Sequence, residues 1–114
     1  MIVRLYTGND GESHFEEITP AFAWDGRVER APLENARAVI FSRHPADHFM
    51  DWHHAPRRQY VIMLSGQMEI GIGDGTVRRF GAGDVLLAED LTGHGHTTRV
   101  VGNSPRFSAT VPLA

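Results

Sequence analysis

The stretch "QYVIMLSGQMEIGIGDGTVRRFGAGDVLLAED", Gln59–Asp90, decides the fold. Short runs rich in Val, Ile, Leu and Phe, which suit a pleated and half-buried surface, alternate with glycine-bearing turn signals. "QYVIML", then "SG", then "QMEIGIG" reads as a hairpin with Ser65-Gly66 as its turn. Asp74-Gly75 turns the chain again, and Gly81–Gly83 turns it a third time. Working outward, the same pattern predicts strands over Ile2–Thr7, His14–Ile18, Ala38–Ser42, Phe49–His53, Gln59–Leu64 and Gln67–Ile72. It continues with Thr76–Phe80, Asp84–Ala88, His96–Val101 and Arg106–Val111. The one plausible helical turn lies in "PLENARAVI", Pro32–Ile40. Many short strands with turn signals about every eight to twelve residues indicate an all-β sandwich or barrel.

A chain of 114 residues is expected to form one domain over 1–114. Its net charge of −3, with both signs mixed throughout, offers no basic face to a nucleic-acid backbone. Cysteine is absent, which excludes disulfides, thiolate catalysis and Cys-type zinc sites. "MIVRLYTGND" lacks the apolar core of a signal peptide, and no apolar run approaches about 18 residues. The expectation is therefore a cytoplasmic protein with neither a membrane nor a nucleic-acid partner.

Ahead of the central stretch stands "DWHHAPRR", Asp51–Arg58, and after it "LTGHGH", Leu91–His96. With these flanks the middle of the chain resembles the cupin family, small β-barrels of jelly-roll type. The family's first motif runs Gly, His-x-His, three or four residues, Glu, six residues, Gly. Gln59, followed by six residues and then Gly66, reproduces its second half, with Gln where Glu is usual. The second motif opens with Gly and an apolar strand, then Pro-x-Gly, two residues and His. Gly83, the run Val85–Ala88, Gly93 and His96 match it, without the Pro and with a loop Glu89–Gly93 two residues longer than the pattern. The resemblance covers His53 to Val101, within a motif-bearing core of about 48–102, and implies a single-domain jelly-roll barrel with little helix. Because small cupins commonly pair through exposed sheet edges, it also implies a homodimer, with the terminal strands Ile2–Thr7 and Arg106–Val111 as candidate edges.

Set against the family's three-His, one-Glu metal cage, the sequence is short of ligands. Three residues before Gln59 put the His-x-His pair on His53 and Ala55; four put it on Trp52 and His54. Either register leaves one histidine from the first motif, Gln59 for Glu, and His96 from the second. Neighbouring side chains on a strand point to opposite faces, so His53 and His54 share one face only across a bulge. His53 lies an even six residues before Gln59, so these two share a face if the turn at Ala55-Pro56 keeps parity. His53, Gln59 and His96 are thus the candidate metal ligands, with His54 as the alternative to His53. Imidazoles suit Zn, Fe, Ni, Mn or Cu, while the neutral Gln59 adds no charge to attract such an ion. No organic cofactor is implied.

Other residues suggest roles of a different kind. Glu89 is a candidate acid or base at the barrel mouth, and with Asp90 it closes an apolar strand. Trp52, Arg57 and Met63 are candidates for the wall of a substrate pocket, Arg57 because a guanidinium fork fits a carboxylate or phosphate. His14, His44 and His48 lack partner spacing and read as edge or turn residues. The function this outlines is a His-lined barrel that binds a divalent transition metal and acts on a small polar molecule, as a dioxygenase or isomerase would. One alternative is a metal-free barrel that binds or senses a small molecule. Another is a metal-independent acid/base enzyme, such as a cyclase or epimerase. A shared scaffold does not choose among them.

Overall fold

A computed structural model describes all 114 residues. The chain forms strands and no helix, in the order β1 (Ile2–Thr7), β2 (Ser13–Ile18), β3 (Ala23–Trp24), β4 (Glu29–Arg30), β5 (Ile40–His44) and β6 (Phe49–His53). There follow β7 (Gln59–Ser65), β8 (Gln67–Gly71), β9 (Val77–Phe80), β10 (Val85–Glu89), β11 (His96–Val101) and β12 (Arg106–Pro112). A six-stranded sheet runs β2-β1-β10-β7-β12-β5, and a four-stranded sheet runs β6-β11-β8-β9. Pairing is antiparallel throughout except between β1 and β10, where Ile2 stands opposite Val85. The short ribbon β3–β4 stands apart as a sheet of its own. With no helix in the chain, none is long and apolar enough to cross a membrane.

Alternation along the strands fills the space between the two main sheets. Val3 and Leu5 of β1, Met63 of β7, Met68 and Ile70 of β8, and Phe80 of β9 are fully buried in one cluster. This core is built from β1, β7, β8, β9 and β10. Burying a side chain of this size contributes about 1.5–3 kcal/mol, so the cluster is the main source of stability.

Three expectations from the sequence are corrected, and one element carries no signal in it. Ser65-Gly66 does not close a hairpin: β7 pairs with β10 and β12, and β8 pairs with β11 and β9. The dipeptide instead carries the chain from one sheet to the other. Gly66 allows this because φ is 75° there and a Cβ would come within 2.5 Å of the Pro105 carbonyl oxygen. "PLENARAVI" forms no helical turn. Its backbone is tied to the far end of the chain, with Arg37 N–H donating to Pro112 O and Ala114 N–H to Asn35 O. The terminal strands are not edges, since β1 lies between β2 and β10, and β12 between β7 and β5. The open edges of the large sheet are β2 and β5. Finally, the β3–β4 ribbon went unread, because two-residue strands carry no periodicity.

Candidate functional site: the barrel cavity

Adjoining the core, strands β5, β12 and β7 face β6, β11 and β8 across a cavity of about 250 Å³. Its apolar wall is Ile40, Met50, Val61, Met68, Ile70 and Leu86. Polar groups from five strands and one loop also line it. On β5 alternation turns Ser42 and His44 inward, and Phe41 and Arg43 outward. On β12 it turns Arg106 and Thr110 inward, leaving Phe107 to stack on Phe41 with ring centroids 6.2 Å apart. β12 thus gives its polar face to the barrel interior. None of the 15 lining residues is acidic, while Arg57, Arg106, His44 and His53 all line the cavity.

His53, at the end of β6, pairs in register with His96, at the start of β11, and their ring centroids are 4.4 Å apart. A bulge follows at once, between His96 and Thr98. Each imidazole is fixed through its Nδ1. His53 donates to the carbonyl of Asp51 at 2.7 Å, and His96 to Oδ2 of Asp90 at 2.5 Å. Asp90 is completely buried, and the same oxygen accepts the Ser13 hydroxyl at 2.7 Å. Its other oxygen has no partner. Burial holds the His53 pKa below 6.5, and His96 pushes the same way, against the hydrogen bond to Asp51. Gly95 makes this close approach possible: φ is 80°, and a Cβ would meet the His53 carbonyl oxygen at 2.3 Å.

Of the residues singled out from sequence, His53, Gln59 and Arg57 line the cavity, and His96 is buried behind His53. Arg57 Nη1 donates to Gln59 Oε1 at 3.1 Å. His54 is exposed and hydrogen-bonds the Gly93 carbonyl. Three placements differ from expectation. Trp52 stacks on His94 outside the cavity, with centroids 3.9 Å apart, because on β6 it alternates with His53. Met63 belongs to the core cluster. Glu89 points away from the cavity and bridges Arg4 and Arg58. Its partial burial would raise its pKa, but hydrogen bonds from Arg58 and Arg4 outweigh that and hold it below 4.5. A carboxylate so engaged is no acid or base for a ligand inside the barrel.

The sequence reading missed Arg106 and His44. Arg106 is 6% exposed and lines the cavity beside His44. The available signal was the alternation of "RFSATV", which separates Arg106, Ser108 and Thr110 from the apolar set. An amphipathic strand is normally read with its apolar set inward, and here that reading inverts the strand.

The donor set does not suit a resident divalent ion. No three His, Asp or Glu side chains are grouped to hold one. Neither His53 nor His96 uses its Nε2 in a hydrogen bond, but Gln59 is neutral and its oxygen already accepts from a guanidinium. With two arginines and no acid lining the cavity, the residues present do not fit a tightly held cation.

No protein-family model matches the chain, and no curated protein matches it. Solved structures do. A conserved uncharacterized protein with a double-stranded β-helix domain from Klebsiella pneumoniae is 25% identical, with a TM-score of 0.52 over 78% of each chain. A conserved protein of unknown function from Streptococcus pyogenes is 18% identical, with a TM-score of 0.50 over 74% of this chain and 70% of the other. The second likeness concerns the fold alone. Two facing sheets, jelly-roll connections and these neighbours agree: the chain is a small cupin-like barrel with the double-stranded β-helix fold.

Proposed function

We propose that this barrel binds a small organic molecule in its cavity and does so without a resident metal. The observation that carries the reading is the cavity itself, walled by six apolar side chains and lined by polar groups among which no carboxylate occurs. Such a mixture is what orients and desolvates a small ligand. A second reading, a divalent ion between His53 and His96, is favoured by one observation. Both rings are anchored through Nδ1, as metal-bound imidazoles usually are, which leaves Nε2 unused. Metal analysis of untagged protein purified without chelator separates the two. Our reading expects less than about a tenth of an equivalent of transition metal, and no cobalt affinity that His53→Ala or His96→Ala removes. About one equivalent, lost in both variants, would replace it with the second.

We also propose that the chain pairs with a second copy. Phe22, Trp24, Val28, Leu33, Val39 and Phe41 are each more than two-fifths exposed, and they cluster in the segment that includes the β3–β4 ribbon and the open edge β5. Single exposed apolar residues need no explanation, but six within one stretch of twenty residues, with Phe41 on an open sheet edge, favour association.

A further inference from the structure

Arg106 is buried to 6% exposure, yet it forms no ion pair. Its Nη1 lies 2.9 Å from the Met68 thioether sulfur, and its Nη2 lies 3.0 and 3.2 Å from the two ring nitrogens of His44. Its Nε is buried with no partner. A guanidinium has five N–H donors and keeps its charge in a protein. Here those donors have been given one weak sulfur acceptor and one imidazole, and neither carries negative charge. An ion taken out of water without a counter-ion costs several kcal/mol, so such groups are normally paired. The cavity that Arg106 lines contains no acid to pair with it, and Arg57 adds a second guanidinium.

Resting on the reading of the cavity as a small-molecule site, we infer that Arg106 anchors an anion, and that the ligand is a small organic carboxylate. The guanidinium fork matches a carboxylate in geometry and charge. The apolar wall supplied by Met68, Ile70 and Leu86 suits a hydrocarbon body. It would strip water from the further oxygens of a phosphate without replacing their hydrogen bonds. At about 30 Å³ of liquid volume per water, a cavity of about 250 Å³ takes the place of roughly eight waters, so the ligand is metabolite-sized. His44 supports the arrangement. Burial and the Arg106 charge hold it below 6.5, so at neutral pH it accepts from the guanidinium without neutralising its charge.

The test compares hexanoate, its neutral isostere hexanamide and inorganic phosphate by calorimetric titration at neutral pH, with amide chemical shifts locating the site. Hexanoate is expected to bind at least about tenfold tighter than hexanamide, the margin of charge-assisted over neutral hydrogen bonds, and phosphate to bind more weakly than hexanoate. Arg106→Met is expected to bring hexanoate down to the affinity of hexanamide. If that variant fails to fold, the wild-type comparison still decides. Equal binding of hexanoate and hexanamide in the cavity would overturn the anion site and leave the small-molecule reading intact. Phosphate binding tighter than hexanoate would overturn the carboxylate. No shift at cavity residues with either organic probe would overturn both readings.

Discussion

His44 gives the residue scale its clearest test. Burial, the Arg106 charge and His48, in that order, depress its pKa from 6.5. The unfolded chain therefore takes up a proton that the folded chain refuses. His44 adds stability above about pH 6.5, and that contribution is lost as pH falls toward the folded value. The expected outcome is a Tm that falls between pH 7 and 5.5 less steeply in His44→Gln than in the wild type; equal slopes would contradict the assignment. Gly95 and Asp90 test how the two adjacent imidazoles, tilted by 58° to one another, are held. Gly95→Ala combines a left-handed φ with a Cβ driven into the His53 carbonyl, and it should cost about 2 kcal/mol or more. Asp90→Ala leaves the Ser13 hydroxyl and the His96 Nδ1–H without their buried acceptor, a loss of about 3 kcal/mol. Denaturant unfolding measures both, and a change below about 0.5 kcal/mol in either, typical of a surface position, would refute its role.

At the scale of elements, local chemistry made the strands legible and long-range pairing hid their arrangement. β1, β6 and β11 begin and end at the residues where alternation and turn signals place them. β5 lies two residues later than read, at Ile40–His44, because Asn35–Arg37 make only an isolated bridge to the chain end, through Ala114 and Pro112, before the continuous ladder with β12 begins at Ile40. Parity along the chain put His53 and Gln59 on one face and His54 on the other, and both His53 and Gln59 line the cavity. Three features were beyond parity. The crossing at Ser65-Gly66 depends on partners that lie far away in sequence. The inward polar face of β12 inverts the usual reading of an amphipathic strand. The Asp90–His96 pair needs β10 and β11 to be joined by a loop that folds back onto Ser13.

For the whole molecule, the chain's radius of gyration of 14.6 Å exceeds the roughly 13 Å expected of a compact chain this long, in keeping with a segment that stands off the barrel. If a second copy covers that segment, sedimentation at micromolar concentration gives about twice 12.7 kDa, and Phe41→Glu on the open edge returns it to the monomer mass. A wild-type chain that sediments only as monomer contradicts the pairing. In the proposed function the barrel encloses an organic anion rather than a metal ion. A crystal structure of untagged protein grown with hexanoate tests it most directly. The expected result is a carboxylate within about 3 Å of the Arg106 guanidinium, its alkyl chain along Met68 and Ile70, and no ion between His53 and His96. A metal ion bound by those two histidines, with hexanoate absent from the cavity, would contradict it.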